Sequence, residues 1–292
     1  MIWRKTVYKQ YYAPLPDPGA YLARIGLNPD DYRKSLHPEL PASPSEYSAP
    51  HTKEALDTLV KAQLYHVPFE ALDAYDLHRE VSLAIADIFE KIVVRRRGGY
   101  CFELNGLFFA LVESLGFECF PVACRVLFEG EFPTIGHRNN IAILEDGKRV
   151  TFDVGFGGPA PIGALYLDCD QPQTSGKFTF RIDRSGRNGA FRQVVFNKDG
   201  SESPLLMFTD QRFEQVDFVA LNAYMTLHVN ARFRNERVLN LLREQGSVAM
   251  INNTLRIHDD GVLTEIELKT PEERKRAYIE YFGMPAESLT EL

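Results

Sequence analysis

Hydrophobic residues recur at helical spacing up to Gly116 and in short strand-like runs after it, so the chain cannot be built of one kind of secondary structure. Before that glycine, residues 54–64 and 82–93 read as helices. Leu104, Leu107, Phe108, Leu111, Val112 and Leu115 then mark an amphipathic helix that begins near Cys101 and that Gly116 stops. After it, runs rich in Val, Ile and Phe at 120–128, 139–145, 148–154, 177–182, 190–196 and 204–209 alternate with Gly, Asp and Pro turns. That is the pattern of an antiparallel barrel or sandwich. Residues 217–245 return to helix, and the tail reads as a hairpin turning at Asp259-Asp260-Gly261 followed by a charged helix from about Pro271 to Phe282.

The fold class expected is α+β in three parts: a mainly helical N-terminal domain over 1–116, a central antiparallel β-barrel over 117–216 and an α/β lid over 217–292. Two proline-rich stretches, 1–18 and about 31–50, read as extended additions without regular structure.

With 45% hydrophobic residues, 292 positions suffice to bury a large core. A net charge of −7, with no basic cluster larger than Arg95-Arg96-Arg97, argues against a nucleic-acid surface. No stretch of about 18 apolar residues occurs and the N-terminus has no apolar signal core, so neither membrane insertion nor secretion is expected. The four cysteines, Cys101, Cys119, Cys124 and Cys169, contain no C-x-x-C pair and are too sparse for a disulfide scaffold, which fits a reducing cytoplasm.

Cys101 follows Gly98-Gly99 and Tyr100 and stands in the first turn of its helix, where unpaired N–H groups and the helix dipole favour a thiolate. His137, after Gly136 at a strand entrance, and Asp153 are its candidate partners. A two-residue turn at Asp146-Gly147 would put Asp153 opposite Asn140, on the wrong face for His137. A three-residue loop Glu145-Asp146-Gly147, with Gly147 left-handed in a G1 bulge, pairs Asp153 with Asn139 and brings it diagonal to His137. That register, or an equivalent bulge nearby, is expected. His66 and His228 are the competing histidines, Asp146 is better explained by its turn, Asp168 and Asp170 sit in a loop, and the other three cysteines read as structural.

The run Arg95-Arg-Arg-Gly-Gly-Tyr-Cys-Phe-Glu-Leu-Asn105 resembles the active-site segment of the arylamine N-acetyltransferases. Gly136-His137-Arg138, Phe152-Asp153-Val154-Gly155-Phe156-Gly157-Gly158 and Val67-Pro68-Phe69-Glu70 are similar to further motifs of that family. The resemblance implies a papain-like catalytic arrangement of Cys101, His137 and Asp153, with acetyl-CoA as cosubstrate, other acyl-CoA thioesters suiting the same chemistry, and no metal. It implies a small-molecule arylamine or hydrazine acceptor and a ping-pong route through a cysteine thioester. The same triad also serves amide synthases and thiol hydrolases.

Further residues are assigned by the same resemblance. Phe69 and Phe156 look like walls of an acceptor pocket, the alternative being that they only fill the core, and Gly157 would let substrate approach the backbone. Glu70 and Arg97 resemble a bracing pair. At 222–230 the family's usual Ser-Thr-x-Pro-x-Ser stretch has lost its Pro, and only Thr226 remains as a candidate coenzyme contact. The natural amine, the preferred acyl chain and the oligomeric state are not legible in the sequence.

Overall fold

The computed structural model describes residues 8–127 and 133–292. The first seven residues of the expected leader, and Phe128 at the end of the 120–128 run, lie outside the described residues. Four helices dominate the N-terminal third: Pro18–Arg24, capped by Asp17; Lys53–His66, capped by Thr52; Ile85–Phe89, which runs on into a π turn over Glu90–Val94; and Cys101–Ser114. The Cys101 helix was expected to be amphipathic. It is instead buried on every side from Cys101 to Val112, because Phe102, Phe109 and Ala110 face neighbours as well as the leucine stripe does. A helix enclosed in this way has its side chains fixed by packing.

The strands, in chain order, are β1 (Phe69–Glu70), β2 (Glu118–Val126), β3 (Ile135–Ile143), β4 (Arg149–Phe152), β5 (Leu165–Tyr166), β6 (Gln173–Ser175), β7 (Phe178–Asp183), β8 (Phe191–Phe196), β9 (Glu202–Phe208), β10 (Val238–Arg243), β11 (Gly246–Ile251), β12 (Thr254–Asp259) and β13 (Val262–Glu267). Eight of them form one antiparallel sheet in the order β5-β4-β3-β2-β9-β8-β7-β6 around Phe120, Val122, Cys124, Ile141, Phe180 and Phe191. Its two edges are joined by a side chain: Tyr166 N–H donates to Gln173 Oε1 at 2.8 Å and Gln173 Nε2 donates to Tyr166 O at 2.9 Å. The amide of Gln173 thus stands in for a backbone ladder and nearly closes the barrel.

Val238–Arg243 departs from the helix expected over 217–245. Helix ends at Leu227, one turn follows at Arg232–Asn235, and β10 then pairs along its whole length with β11 and, at Leu239 and Asn240, with β1. The hairpin partner Gly246–Ile251 decides the matter, since a strand is stabilised by its neighbours more than by its own sequence. β12 and β13 turn at Asp260-Gly261 as expected, both with positive φ, and the last helix spans Pro271–Phe282.

The two proline-rich stretches are not extended throughout. Lys9–Tyr12 and Pro29–Tyr32 each make a short 3-10 turn. The 31–50 stretch covers the C-terminal end of the Cys101 helix: Ser45 Oγ donates to Ser114 O at 2.8 Å and Ser48 Oγ to Leu115 O at 3.2 Å. It thereby satisfies carbonyls that a helix end leaves unpaired. Among the described residues no helix is long and apolar enough to cross a membrane.

Candidate active site

Cys101 is the first residue of its helix, with Tyr100 as N-cap in extended conformation. The helix start is held by Glu103, which accepts a hydrogen bond from Tyr100 N–H at 3.0 Å. Gly99 has to be glycine for this, since a Cβ there would meet Glu103 atoms at 2.9–3.1 Å.

His137 comes from β3. The β2/β3 ladder pairs Cys124 with His137 and then Arg125 with Ile135, so Gly136 is an extra residue in the bulged strand. The bulge turns the Gly136 carbonyl toward Cys101, 3.7 Å from its Sγ. Asp153 comes from the end of β4, whose register is Ala142↔Val150 and Asn140↔Phe152. The connection is the three-residue loop Glu145–Gly147: Leu144 N–H donates to Lys148 O and Gly147 N–H to Leu144 O, both at 2.9 Å, with Gly147 at φ +80°. Asp153 is the next residue along that register, on the face of His137.

The three side chains meet. His137 Nε2–H donates to Asp153 Oδ2 at 2.6 Å, and Cys101 lies close enough to the same imidazole to favour its charged form. All three are buried, with Cys101 2% exposed. Burial opposes charge on His137, but the Asp153 carboxylate and Cys101 outweigh it and push its pKa up to about 10. An imidazolium between a carboxylate and a thiol is the state that lets the sulfur carry negative charge.

Asn105, not singled out from the sequence, holds this arrangement together. Its Nδ2 donates to Asp153 Oδ1 at 2.8 Å and to Arg138 O at 2.7 Å, while its Oδ1 accepts from Val154 N–H at 2.9 Å. Gly155 N–H adds a further bond to Asp153 Oδ1 at 2.9 Å. The available signal was Asn105 at i+4 from Cys101, on the same helical face. Arg138, next to His137, was also missed as a buried group. Its guanidinium lies over the rings of Phe218, at 4.7 Å, and Phe109, at 5.6 Å, and burial lowers its pKa to about 9.

A match to the N-acetyltransferase family model runs over residues 52–289. An arylamine N-acetyltransferase of Escherichia coli is 30% identical over 216 residues, 72% of this chain and 75% of the relative. The chain belongs to the arylamine N-acetyltransferase family. A relative of the same name in Mycolicibacterium smegmatis is 27% identical over 273 residues, 92% of each chain. A solved M. smegmatis arylamine N-acetyltransferase structure superimposes with a TM-score of 0.79 at 27% identity, covering 94% of each chain.

Around the triad of this arylamine N-acetyltransferase family member, Phe156 stands edge-on to His137 with ring centroids 5.6 Å apart. Phe69 packs on Phe233 at 5.7 Å and against Gly157, which has φ +71°. Between Phe69, Val154, Gly157, Ala160 and Leu242 lies a cavity of only about 10 Å³. Cavities of about 300 and 420 Å³ open elsewhere, and neither is lined by Cys101, His137 or Asp153. Thr226 does not face an open cleft: it is fully buried, and its hydroxyl donates to Asn222 O at 2.8 Å within its own helix.

Glu70 and Arg97 do meet. Arg97 Nη2 and Nε donate to Glu70 Oε1 at 2.6 and 3.0 Å, and Arg97 Nη1 reaches Asp73 Oδ1 at 3.2 Å. The competing residues have other partners. His66 Nδ1 bonds to Ala62 O at 2.9 Å, and His228 stacks on Tyr224 at 4.6 Å. Asp146 is held by Lys148 and Asp168 by Arg149. Burial pushes the thiols of Cys119 and Cys124 up, away from ionisation. Among the described residues no cluster of His, Cys, Asp or Glu has the makings of a metal site.

Proposed function

We propose that the protein transfers an acetyl group from acetyl-CoA to the nitrogen of an arylamine or arylhydrazine, through a thioester on Cys101. The observation that carries this reading is the 2.6 Å His137–Asp153 hydrogen bond beside a cysteine at a helix start. Family membership supplies the reaction class and the acceptor class.

In the first half-reaction the Cys101 thiolate attacks the thioester carbonyl, a C–S bond forms, and the bond to the coenzyme sulfur breaks. The His137 imidazolium returns its proton to the departing thiolate, so free CoA leaves as a thiol. In the second, the amine nitrogen attacks the acyl-enzyme carbonyl. The amide C–N bond forms, the C–S bond to Cys101 breaks, and His137 takes the proton of the amine. Exchange between two thiols is close to isoenergetic and amide formation is downhill, so a thioester donor suits a cysteine nucleophile. Asp153 holds the ring in the orientation that both steps need. Phe69 and Phe156 are read as walls for the aryl group, with Gly157 letting it approach the backbone.

The test is a CoA-release assay on the wild type and on Cys101→Ser, with circular dichroism to confirm the fold. A serine hydroxyl cannot be ionised by this site, so the variant should keep its spectrum and lose transfer. Acetyl-CoA alone should leave one acetyl group on Cys101 of the wild type. Substantial turnover by Cys101→Ser, or turnover without an adduct and with intersecting initial-rate plots, would remove the covalent route.

A further inference from the structure

Behind the start of the Cys101 helix lies a buried group of charges that the triad does not use. Lys91 Nζ is 2.8 Å from Glu103 Oε1, 2.8 Å from Asp73 Oδ2 and 3.4 Å from Glu70 Oε1, with 13% of its side chain exposed. Arg97 binds Glu70 and Asp73 from the other side. The Glu103 carboxylate that Lys91 holds also accepts from Tyr100 N–H, so it is the cap of the helix whose first residue is Cys101. Glu70 follows Phe69 in β1. Lys91 lies in the π turn Glu90–Val94, and such turns are frequent at functional sites.

We propose that Lys91 is a positioning residue for acyl transfer, its ammonium tying the first turn of the Cys101 helix to the segment that carries Phe69 and Glu70. The proposal rests on the reading of Cys101 as nucleophile. Its physical basis is a charge count. Three carboxylates, Glu70, Asp73 and Glu103, face two cations, the mostly covered Lys91 and the buried Arg97; Arg79 reaches Asp73 from the surface at 3.3 Å. Tyr100 is neutral and bonded to Asn222. A cavity of about 280 Å³, rimmed by Glu80, Asp87, Glu90 and Arg95, opens onto the cluster. Without Lys91, three carboxylates share Arg97 and repel one another, and a proton is the charge that can replace the ammonium. Burial already pushes Glu103 up to about 7 against the pull of Lys91, so the group that would take that proton is the one capping the helix.

The experiment compares wild type, Lys91→Met, Lys91→Arg and the double variant Lys91→Met/Glu103→Gln. Two rates are followed from about pH 9 to about pH 6: acetylation of Cys101 by acetyl-CoA in a single turnover, and its alkylation by iodoacetamide. Lys91→Met should slow both at the alkaline end, by about 10-fold or more, and recover relative to wild type as the pH falls. Lys91→Arg should retain most of the rate. Adding Glu103→Gln should restore part of it, since one charge is gone while the amide oxygen still caps Tyr100. Wild-type rates in Lys91→Met, or a loss equal at every pH and untouched by Glu103→Gln, would overturn the proposal. Where Lys91→Met fails to fold, the arginine and double variants decide by the same comparison. If the wild type takes up no acetyl group, it is the acyl-transfer reading that fails, and the alkylation series still judges the clamp.

Discussion

Asn105 donates a hydrogen bond to Asp153 Oδ1 at 2.8 Å, and it stands one helical turn after Cys101. One helix therefore carries Cys101 and also holds the carboxylate that is bonded to His137. Asn105→Ala removes a donor from Asp153 and strands the N–H of Val154 in a buried site, a cost of about 1–3 kcal/mol. The loss of orientation should lower kcat/KM by on the order of 10²-fold, since small misplacements of reacting groups have effects of that size. Urea unfolding and steady-state kinetics check the two separately; a variant that is destabilised yet fully active would show that Asn105 supports the fold and not the triad.

Folding favours the charged form of His137, whose pKa rises from about 6.5 in the unfolded chain toward the value of about 10 in the folded one. The stability gained is complete below about pH 6.5 and is lost as the pH climbs through the folded value. Activity that needs the imidazolium–thiolate pair should decline on the same alkaline limb. Asp153→Asn removes the carboxylate that opposes the desolvation of the ring, so the limb should move to lower pH while the rate falls. The equivalent change in a serine-protease triad costs about 10⁴ in rate. A pH–rate profile of the variant reads both; an unmoved alkaline limb would detach it from His137.

Arg97 is 3% exposed and is bonded to both Glu70 and Asp73, so Arg97→Ala leaves buried carboxylates short of a cation. Breaking a buried pair from one side costs about 3–5 kcal/mol. The double replacement Glu70→Gln with Arg97→Met should cost less than Arg97→Ala alone, because the uncompensated charge on Glu70 goes with its partner. A double-mutant cycle by chemical denaturation measures the difference, and a double variant less stable than Arg97→Ala would contradict it.

These networks mark where the sequence could be read and where it could not. The leucine stripe of residues 104–115 and the turn residues Gly147 and Gly261 impose local rules, and the structure obeys them. The β3/β4 register follows from parity alone once the bulged loop is chosen. The bulge at Gly136 was not visible, because it depends on how β2 meets β3 and not on either strand's own pattern. β10 reads as helix in the sequence because its pairing with β1 and β11 is non-local. The Lys91 cluster was equally hidden: Asp73, Lys91 and Glu103 look like surface charges until the π turn and the helix cap bring them together. Thr226 resembles a motif residue only in sequence, and its hydroxyl serves its own helix.

Gly155 and Gly157 lie two residues apart beside the triad, and alanine should affect them differently. A Cβ on Gly155 would meet the Cys101 Cα at 2.8 Å and Asn105 Nδ2 at 2.9 Å. The first of these is backbone of a helix packed on all sides, so relief has to come from moving Cys101 or Asp153. Gly155→Ala should therefore lower kcat/KM for every acceptor alike. At Gly157 the nearest atoms are the Phe69 ring at 3.5 Å, ordinary contact, but φ is +71°, where an L side chain costs about 1–2 kcal/mol. Gly157→Ala should lose about that much stability and leave acylation of Cys101 by acetyl-CoA near the wild-type rate. Its effect should appear in KM for the amine, because the added methyl narrows the space beside Phe69. Single-turnover acylation followed by amine titration separates the two variants, and equal acylation defects in both would refute the distinction between the contact with Cys101 and the contact with Phe69.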